Sequence, residues 1–232
     1  MTVEEFVQRL AVDNIFLSEI QVDQFHRYAE SLIEWNKKIN LTALTELSDI
    51  YEKHFYDSLL PFIKQKPQGA LCDVGSGAGF PGVVIKIVYP DVKVILLEPI
   101  KKRVVFLNDL LIKLDLGDIA VVNSRAEDYV KIKRETFDWV TARAVANLAI
   151  LAELCIPLVK LDGYFIAMKG SNGLGEYQDA SKGIHQLGCE LLDEGKMMLN
   201  SEIYRYNLLF IKKRKTPLSY PRSYALIKKR PL

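Results

Sequence analysis

The run Leu71-Cys72-Asp73-Val74-Gly75-Ser76-Gly77-Ala78-Gly79-Phe80-Pro81-Gly82 decides how the chain folds. Its first four residues read as a buried strand ending at Val74. Glycines fill the turn that follows, and Pro81 stands in the first turn of the next helix. Glycine opens backbone conformations closed to other residues and lets a ligand approach the main chain. The free N–H groups at the start of that helix favour negative charge. In a doubly wound sheet this first turn lies in the ligand crevice, at the carboxyl ends of the strands. The stretch therefore predicts a bound molecule with an anionic group.

Downstream of the loop, short β-branched or apolar runs alternate with helical stretches. Strands are expected over 71–74, 92–97, 119–122, 137–141 and 164–169, with helices over 81–88, 101–114, 126–130 and 148–158. That alternation indicates βαβ units and a parallel sheet. The end departs from it: residues 190–199 and 203–213 flank the turn-like Asn200-Ser201, which reads as an antiparallel hairpin. Upstream, Thr2-x-x-Glu5 and Ser18-x-x-Gln21 each look like a capping box. Val22, Phe25, Ala29, Leu32, Ile33, Asn36 and Ile39 follow one helical stripe, apolar except at Asn36. A third helix is expected over about 50–63. The predicted architecture is α/β: a Rossmann-like doubly wound sheet, mostly parallel, with an antiparallel C-terminal hairpin behind a small helical segment. Its divisions are a helical extension (1–66), a Rossmann-like domain (67–215) and a basic tail (216–232).

Of the 232 residues, 49% are hydrophobic and 26% charged, which fits a folded core and excludes disorder. Three cysteines without CxxC spacing indicate neither a disulfide framework nor a zinc site. No apolar run reaches ~18 residues, and Glu4 and Glu5 stand where a signal peptide carries positive charge. A cytoplasmic protein without a membrane partner is expected. The net charge of +2 hides an asymmetry: eight basic residues and no acidic one follow from Lys212 onward. The other 23 basic residues face 29 acidic ones, so the body is acidic. Such a tail is either a nucleic-acid contact or a solvated face.

The loop itself narrows the ligand. Gly77-x-Gly79-x-x-Gly82 matches the dinucleotide pattern by letter but begins two residues late for the strand end. The proper register needs a glycine at position 80, which is Phe. Asp73, just inside the strand, suits a cationic amine or sulfonium better than a pyrophosphate. Both features favour S-adenosylmethionine over a nicotinamide dinucleotide. Glu98 ends the second strand, placed to accept the ribose hydroxyls. After the third strand, Ser124-Arg125-Ala126-Glu127-Asp128 offers a backbone N–H or an acid to the adenine edge.

Absences narrow the reaction. No cysteine follows the fourth strand, which ends Thr141-Ala142-Arg143-Ala144, so attack through a cysteine adduct is excluded. No acid or amide followed by paired prolines stands there either. His54 and Asp57, one turn apart, read as a helix-surface pair or as a hydrogen bond supporting another site residue, rather than as a metal site. A ring nitrogen such as guanine N7 carries an in-plane lone pair and no proton, so no base is needed. Alignment at about 3 Å supplies the rate. Arg143 and Lys169, at the ends of the fourth and fifth strands, are candidate donors to a guanine O6 or a phosphate. Lys169 reads equally as a solvated strand-end charge.

With these residues in place, the sequence resembles the bacterial small-subunit ribosomal RNA guanine-N7 methyltransferase family, also called glucose-inhibited division protein B. The resemblance runs through Trp35-Asn36-Lys37, Asn40-Leu41-Thr42, His54-x-x-Asp57-Ser58 and the whole glycine loop. It continues through Glu98-Pro99, Lys102-Arg103-x-x-Phe106-Leu107, Phe137-Asp138 and Thr141-Ala142-Arg143-Ala144. At the end it includes Lys169-Gly170, Thr216-Pro217 and Tyr220-Pro221-Arg222. It implies a class I methyltransferase fold, S-adenosylmethionine as methyl donor, and methylation of a guanine N7 in 16S ribosomal RNA. It assigns cofactor contacts to Gly75, Phe80, Ala126, Glu127 and Arg143, beside the Asp73, Gly77 and Glu98 read above. No catalytic acid or base and no metal ligand is implied. The helical lead-in and the tail become surfaces on ribosomal RNA or the small subunit, with Lys169, Lys213 and Arg222 as candidate RNA contacts on a monomer. The rival expectations are a non-catalytic RNA-binding assembly factor and a nicotinamide-dependent oxidoreductase.

Overall fold

In the computed structural model, which describes residues 1–232, both N-terminal capping boxes form. Helix α1 (Val3–Val12) starts where the Thr2 hydroxyl accepts the Glu5 N–H and the Glu5 carboxylate accepts the Thr2 N–H. Ser18 and Gln21 repeat the exchange at the start of α2 (Glu19–Asn36). The stripe on α2 turns Phe25, Ala29 and Leu32 into the core. Its polar exception has a job. Asn36 Oδ1 accepts the N–H groups of Leu41 and Thr42 at 2.8 and 3.0 Å, and Nδ2 donates to the Thr42 carbonyl, which folds the chain back.

The third expected helix is not uniform. It runs as α3 (Leu47–Asp49), a π-helix (Ile50–Tyr56), α4 (Asp57–Leu59) and a 3-10 turn (Leu60–Phe62). π winding is rare and concentrates at functional sites. Here it buries Tyr51 and Phe55 while Lys53, His54 and Asp57 reach a cleft.

The rest alternates: β1 (Ala70–Val74), α5 (Gly82–Val88), β2 (Lys93–Leu97), α6 (Lys101–Lys113), β3 (Ile119–Val122) and α7 (Ala126–Lys133). Then follow β4 (Phe137–Arg143), α8 (Leu148–Cys155), β5 (Val159–Lys169), α9 (Gly173–Gln186), β6 (Cys189–Asp193), β7 (Lys196–Met198), β8 (Tyr204–Lys212) and α10 (Tyr224–Lys229). The sheet order is β3-β2-β1-β4-β5-β8-β6, with β7 also on β8. β1 to β5 pair in parallel, and β8 runs antiparallel to its neighbours. The expected closing hairpin is present, its first arm broken at Gly195. There the backbone is left-handed, and a Cβ would lie 2.2 Å from the Asn207 carbonyl oxygen. Because the chain crosses to both sides of β1, the glycine loop sits at the reversal of strand order, where such sheets bind ligands.

Residues 1–66 share one apolar cluster with the sheet, through Phe6, Phe25 and Phe55 against Phe80, Leu96 and Phe106. The other face is covered by α7, α8 and α9, joined by Ile227 of α10. Residues 216–232 are laid onto this face. Arg134 donates to the carbonyls of Thr216, Pro217 and Tyr220. The Lys212 ammonium, with no solvent exposure, donates to the Ile156 carbonyl and the Thr216 hydroxyl at 2.8 and 2.7 Å.

Candidate active site

Three glycines of the loop, Gly75, Gly77 and Gly79, take left-handed backbone with φ of +71°, +60° and +96°. The loop is tied to the next strand. The Gly75 N–H donates to the Leu97 carbonyl at 2.8 Å. Glu98 Oε2 accepts the Gly77 N–H and Oε1 accepts the Ile100 N–H, both at 2.8 Å. Glu98, read from sequence as a ribose ligand, is thus also a buried brace between the loop and α6. A carboxylate has about four acceptor sites, so each oxygen keeps one. From the other side, the Tyr28 hydroxyl donates to the Ala78 carbonyl at 2.6 Å. The rings of Tyr28 and His54 stack on Phe80 at 5.3 and 4.5 Å. The Phe80 ring is buried in this stack, where it fixes the loop against the N-terminal helices.

Asp73 lies beneath the loop. Its Oδ2 accepts the Gly82 N–H at 3.0 Å, while Oδ1 is buried without a partner. Thr141, its register partner on β4, also holds an unpartnered buried hydroxyl. Burial pushes the Asp73 carboxyl up to about 7.

Two cavities share Val145 as a wall. The smaller, about 130 Å³, is walled by Val74, Gly75, Leu97, Ala126 and Glu127 at the carboxyl ends of β1, β2 and β3. The larger, about 690 Å³, is ringed by Lys53, His54, Asp57, Arg143, Lys169 and Arg205. Val145 lines both, and a Cβ on Gly75 would lie 2.7 Å from its Cγ2. The preceding residue, Ala144, is itself left-handed at φ +56°.

Arg143 organises the larger cleft. Its guanidinium meets His54 Nδ1 at 3.2 Å, Asp57 Oδ2 at 3.3 Å and the Lys53 carbonyl at 3.3 Å, with its centre 4.8 Å above the Phe80 ring. A guanidinium only donates, so His54 Nδ1 accepts, and its Nε2–H points at the Thr42 hydroxyl 2.7 Å away. Burial, then the charge of Arg143, drives the His54 pKa down to about 3. Arg205 closes the set, donating to Asp57 Oδ1 at 2.9 Å. Of the two readings of His54 and Asp57, the structure has the supporting hydrogen bond and not the helix-surface pair: each partners Arg143, which arrives from β4. Sequence reasoning missed Arg205, a lone cation in a strand, whereas Thr42 and His54 stood inside motifs already singled out.

Two expected RNA contacts are corrected. The Lys169 ammonium is buried against Glu176 Oε2 at 2.7 Å and the Ala146 carbonyl at 2.6 Å. Glu176 also accepts the Leu148 N–H, so Lys169 holds the 144–148 connection rather than meeting a phosphate. Arg222 lies along the fully buried Glu153 carboxylate, with contacts of 2.6 and 2.9 Å. Lys213 remains at the surface, 3.9 Å from Asp162. The three cysteines are buried, with thiols pushed up by desolvation, and none lines either cavity.

The family model for rRNA small subunit methyltransferase G matches residues 21–198. A ribosomal RNA small subunit methyltransferase G of Oceanobacillus iheyensis is 44% identical, across the full length of both chains. This chain belongs to the rRNA small subunit methyltransferase G family. Solved structures agree on the fold. TYW2 of P. horikoshii, in complex with MeSAdo, superposes with a TM-score of 0.56 at 15% identity, over 69% of this chain and 63% of that one. TYW2 of M. jannaschii, in complex with AdoMet, gives 0.50 at 11%, over 68% and 73%. Within this member of the methyltransferase G family, the matched span runs from α2 to β7. It includes the glycine loop, His54 and Arg143, and it stops short of Arg205 and α10.

Proposed function

We propose that this protein methylates guanine N7 in 16S ribosomal RNA, with S-adenosylmethionine as methyl donor. The observation that carries this reading is that a small pocket beside Gly75 and a cleft ringed by Lys53, Arg143 and Arg205 share Val145 as a wall. The first lies at the carboxyl ends of β1, β2 and β3, where such sheets take a nucleotide, and the second suits an anionic polymer.

The residues present fit that cofactor. Gly75 has left-handed backbone and lines the smaller pocket with bare main chain, and Asp73 holds an unpartnered buried oxygen beside the loop. Gly75, Gly77 and the start of α5 offer main chain to the methionine end, with Asp73 below and Phe80 fixing the loop. The free acceptor sites of Glu98 take the ribose hydroxyls. Ala126 and Glu127 line the adenine side. When bound, S-adenosylmethionine supplies a methyl group activated by its sulfonium sulfur.

The chain's own residues align the acceptor. Arg143 and Arg205, held on Asp57, present donors to a guanine edge or a phosphate. His54 stays neutral and locked as one tautomer, so it orients Arg143 and takes no proton at pH 7. N7 needs none removed. We place the protein in the cytoplasm as a monomer acting on ribosomal RNA or the small subunit.

The test is chemical. 16S ribosomal RNA from cells lacking the protein is incubated with it and S-adenosylmethionine, then treated with borohydride and aniline. Strand cleavage at one guanosine is expected, and Gly75→Val should abolish it. A preparation that binds the cofactor yet leaves the RNA uncleavable overturns the N7 reading.

A further inference from the structure

The smaller pocket has a wall that comes from outside the matched family span. Tyr224, the first residue of α10, lines it together with Leu154 of α8. We propose that Tyr224 is a cofactor-binding residue: the C-terminal segment closes the adenine side of the pocket and lays the phenol ring against the base. The inference rests on reading that pocket as the adenosine site.

The chain delivers Tyr224 there by rigid anchoring. Two residues earlier, both the guanidinium and the main-chain N–H of Arg222 bind Glu153 of α8, the latter at 2.8 Å. The guanidinium also donates to the Arg230 carbonyl at 2.9 Å, which ties down the far end of α10. Ile227, between these ties, is fully buried. Tyr224 itself is 37% exposed, and the Arg125 guanidinium lies 5.6 Å from its ring centre. Arg125 is the residue before α7, so the ring stands beside the start of the helix whose first residues, Ala126 and Glu127, line the same pocket.

The pocket holds about 130 Å³, roughly four waters' worth of space. Its floor of Val74, Leu97 and Ala126 offers no hydrogen bond through its side chains. A flat aromatic ring at the mouth of such a pocket suits a flat heterocycle, because every base has a π-face that stacks on aromatic side chains. Lys228, Lys229 and Arg230 stand exposed on the same short helix.

The experiment is titration calorimetry of S-adenosylhomocysteine into the full-length wild type, Tyr224→Ala and Tyr224→Phe. The alanine variant should bind about tenfold more weakly, the value of one base stack, while the phenylalanine variant stays within about twofold of wild type. In turnover, Tyr224→Ala should raise the KM for the methyl donor and leave kcat nearly unchanged. In the wild type, S-adenosylhomocysteine should slow hydrogen exchange across residues 222–230, which needs no variant to fold. Wild-type affinity in Tyr224→Ala, or unaltered exchange over that segment, overturns the inference and leaves the proposed function standing. A wild type that fails to bind S-adenosylhomocysteine overturns both.

Discussion

Burial shifts both Asp73 and His54 toward their neutral forms, and their proton balances oppose each other. The Asp73 carboxyl titrates near 7 in the folded chain, against ~3.9 when unfolded. Its contribution to stability is complete below pH ~4 and is lost as pH rises through about 7. His54 titrates near 3 when folded, against ~6.5 unfolded, so its contribution is complete above ~6.5 and is lost as pH falls. Between pH ~4 and ~6.5 the folded chain holds one proton that the unfolded chain lacks and lacks one that it holds. The two slopes, each about 1.4 kcal/mol per pH unit, cancel. Relative to wild type, His54→Gln should therefore lose stability as pH rises over that window, and Asp73→Asn should gain it. Urea unfolding at a series of pH values reads both, and parallel curves for all three proteins would refute the assignment.

Among the elements, those set by local pattern were legible and those set by distant partners were not. The capping boxes of α1 and α2 need only residues three apart, and both formed where the letters put them. The π winding of Ile50–Tyr56 was invisible, because it takes its shape from packing of Tyr51 and Phe55 against Phe6 and Phe25. The segment holding α10 carries one buried ion pair, Arg222 with Glu153. Arg222→Ala should leave the buried Glu153 carboxylate with the main-chain N–H of residue 222 and no countercharge, and cost about 3 kcal/mol, seen as a lower urea midpoint. A loss under about 1 kcal/mol would show that the pair does not anchor the segment.

Across the whole molecule, the C-terminal charge divides into an inner and an outer set. Lys212 and Arg222 are committed to internal partners, while Lys213, Arg214, Lys215, Lys228, Lys229 and Arg230 face solvent. Deleting residues 216–232 would remove Thr216 and Ile227 from the core, so it tests folding rather than RNA binding. The informative change is glutamine at 228, 229 and 230 together. The salt slope of ribosomal RNA binding should fall by up to about 2, at ~0.7 per phosphate released. An unchanged slope returns these cations to the role of a solvated face.

The amino-acid sequence alone determined the alternation of strands and helices, the place of the glycine loop and the closing hairpin. Each of these is written in neighbouring residues, through period, capping and the backbone freedom of glycine. Only the tertiary structure decided which charges are available. Lys169 and Arg222 read as free cations until Glu176 and Glu153 were brought against them, and Arg205 read as nothing until Asp57 joined it to Arg143. A charge is available or committed according to partners that can lie scores of residues away, and those partners meet only when the chain has closed on itself.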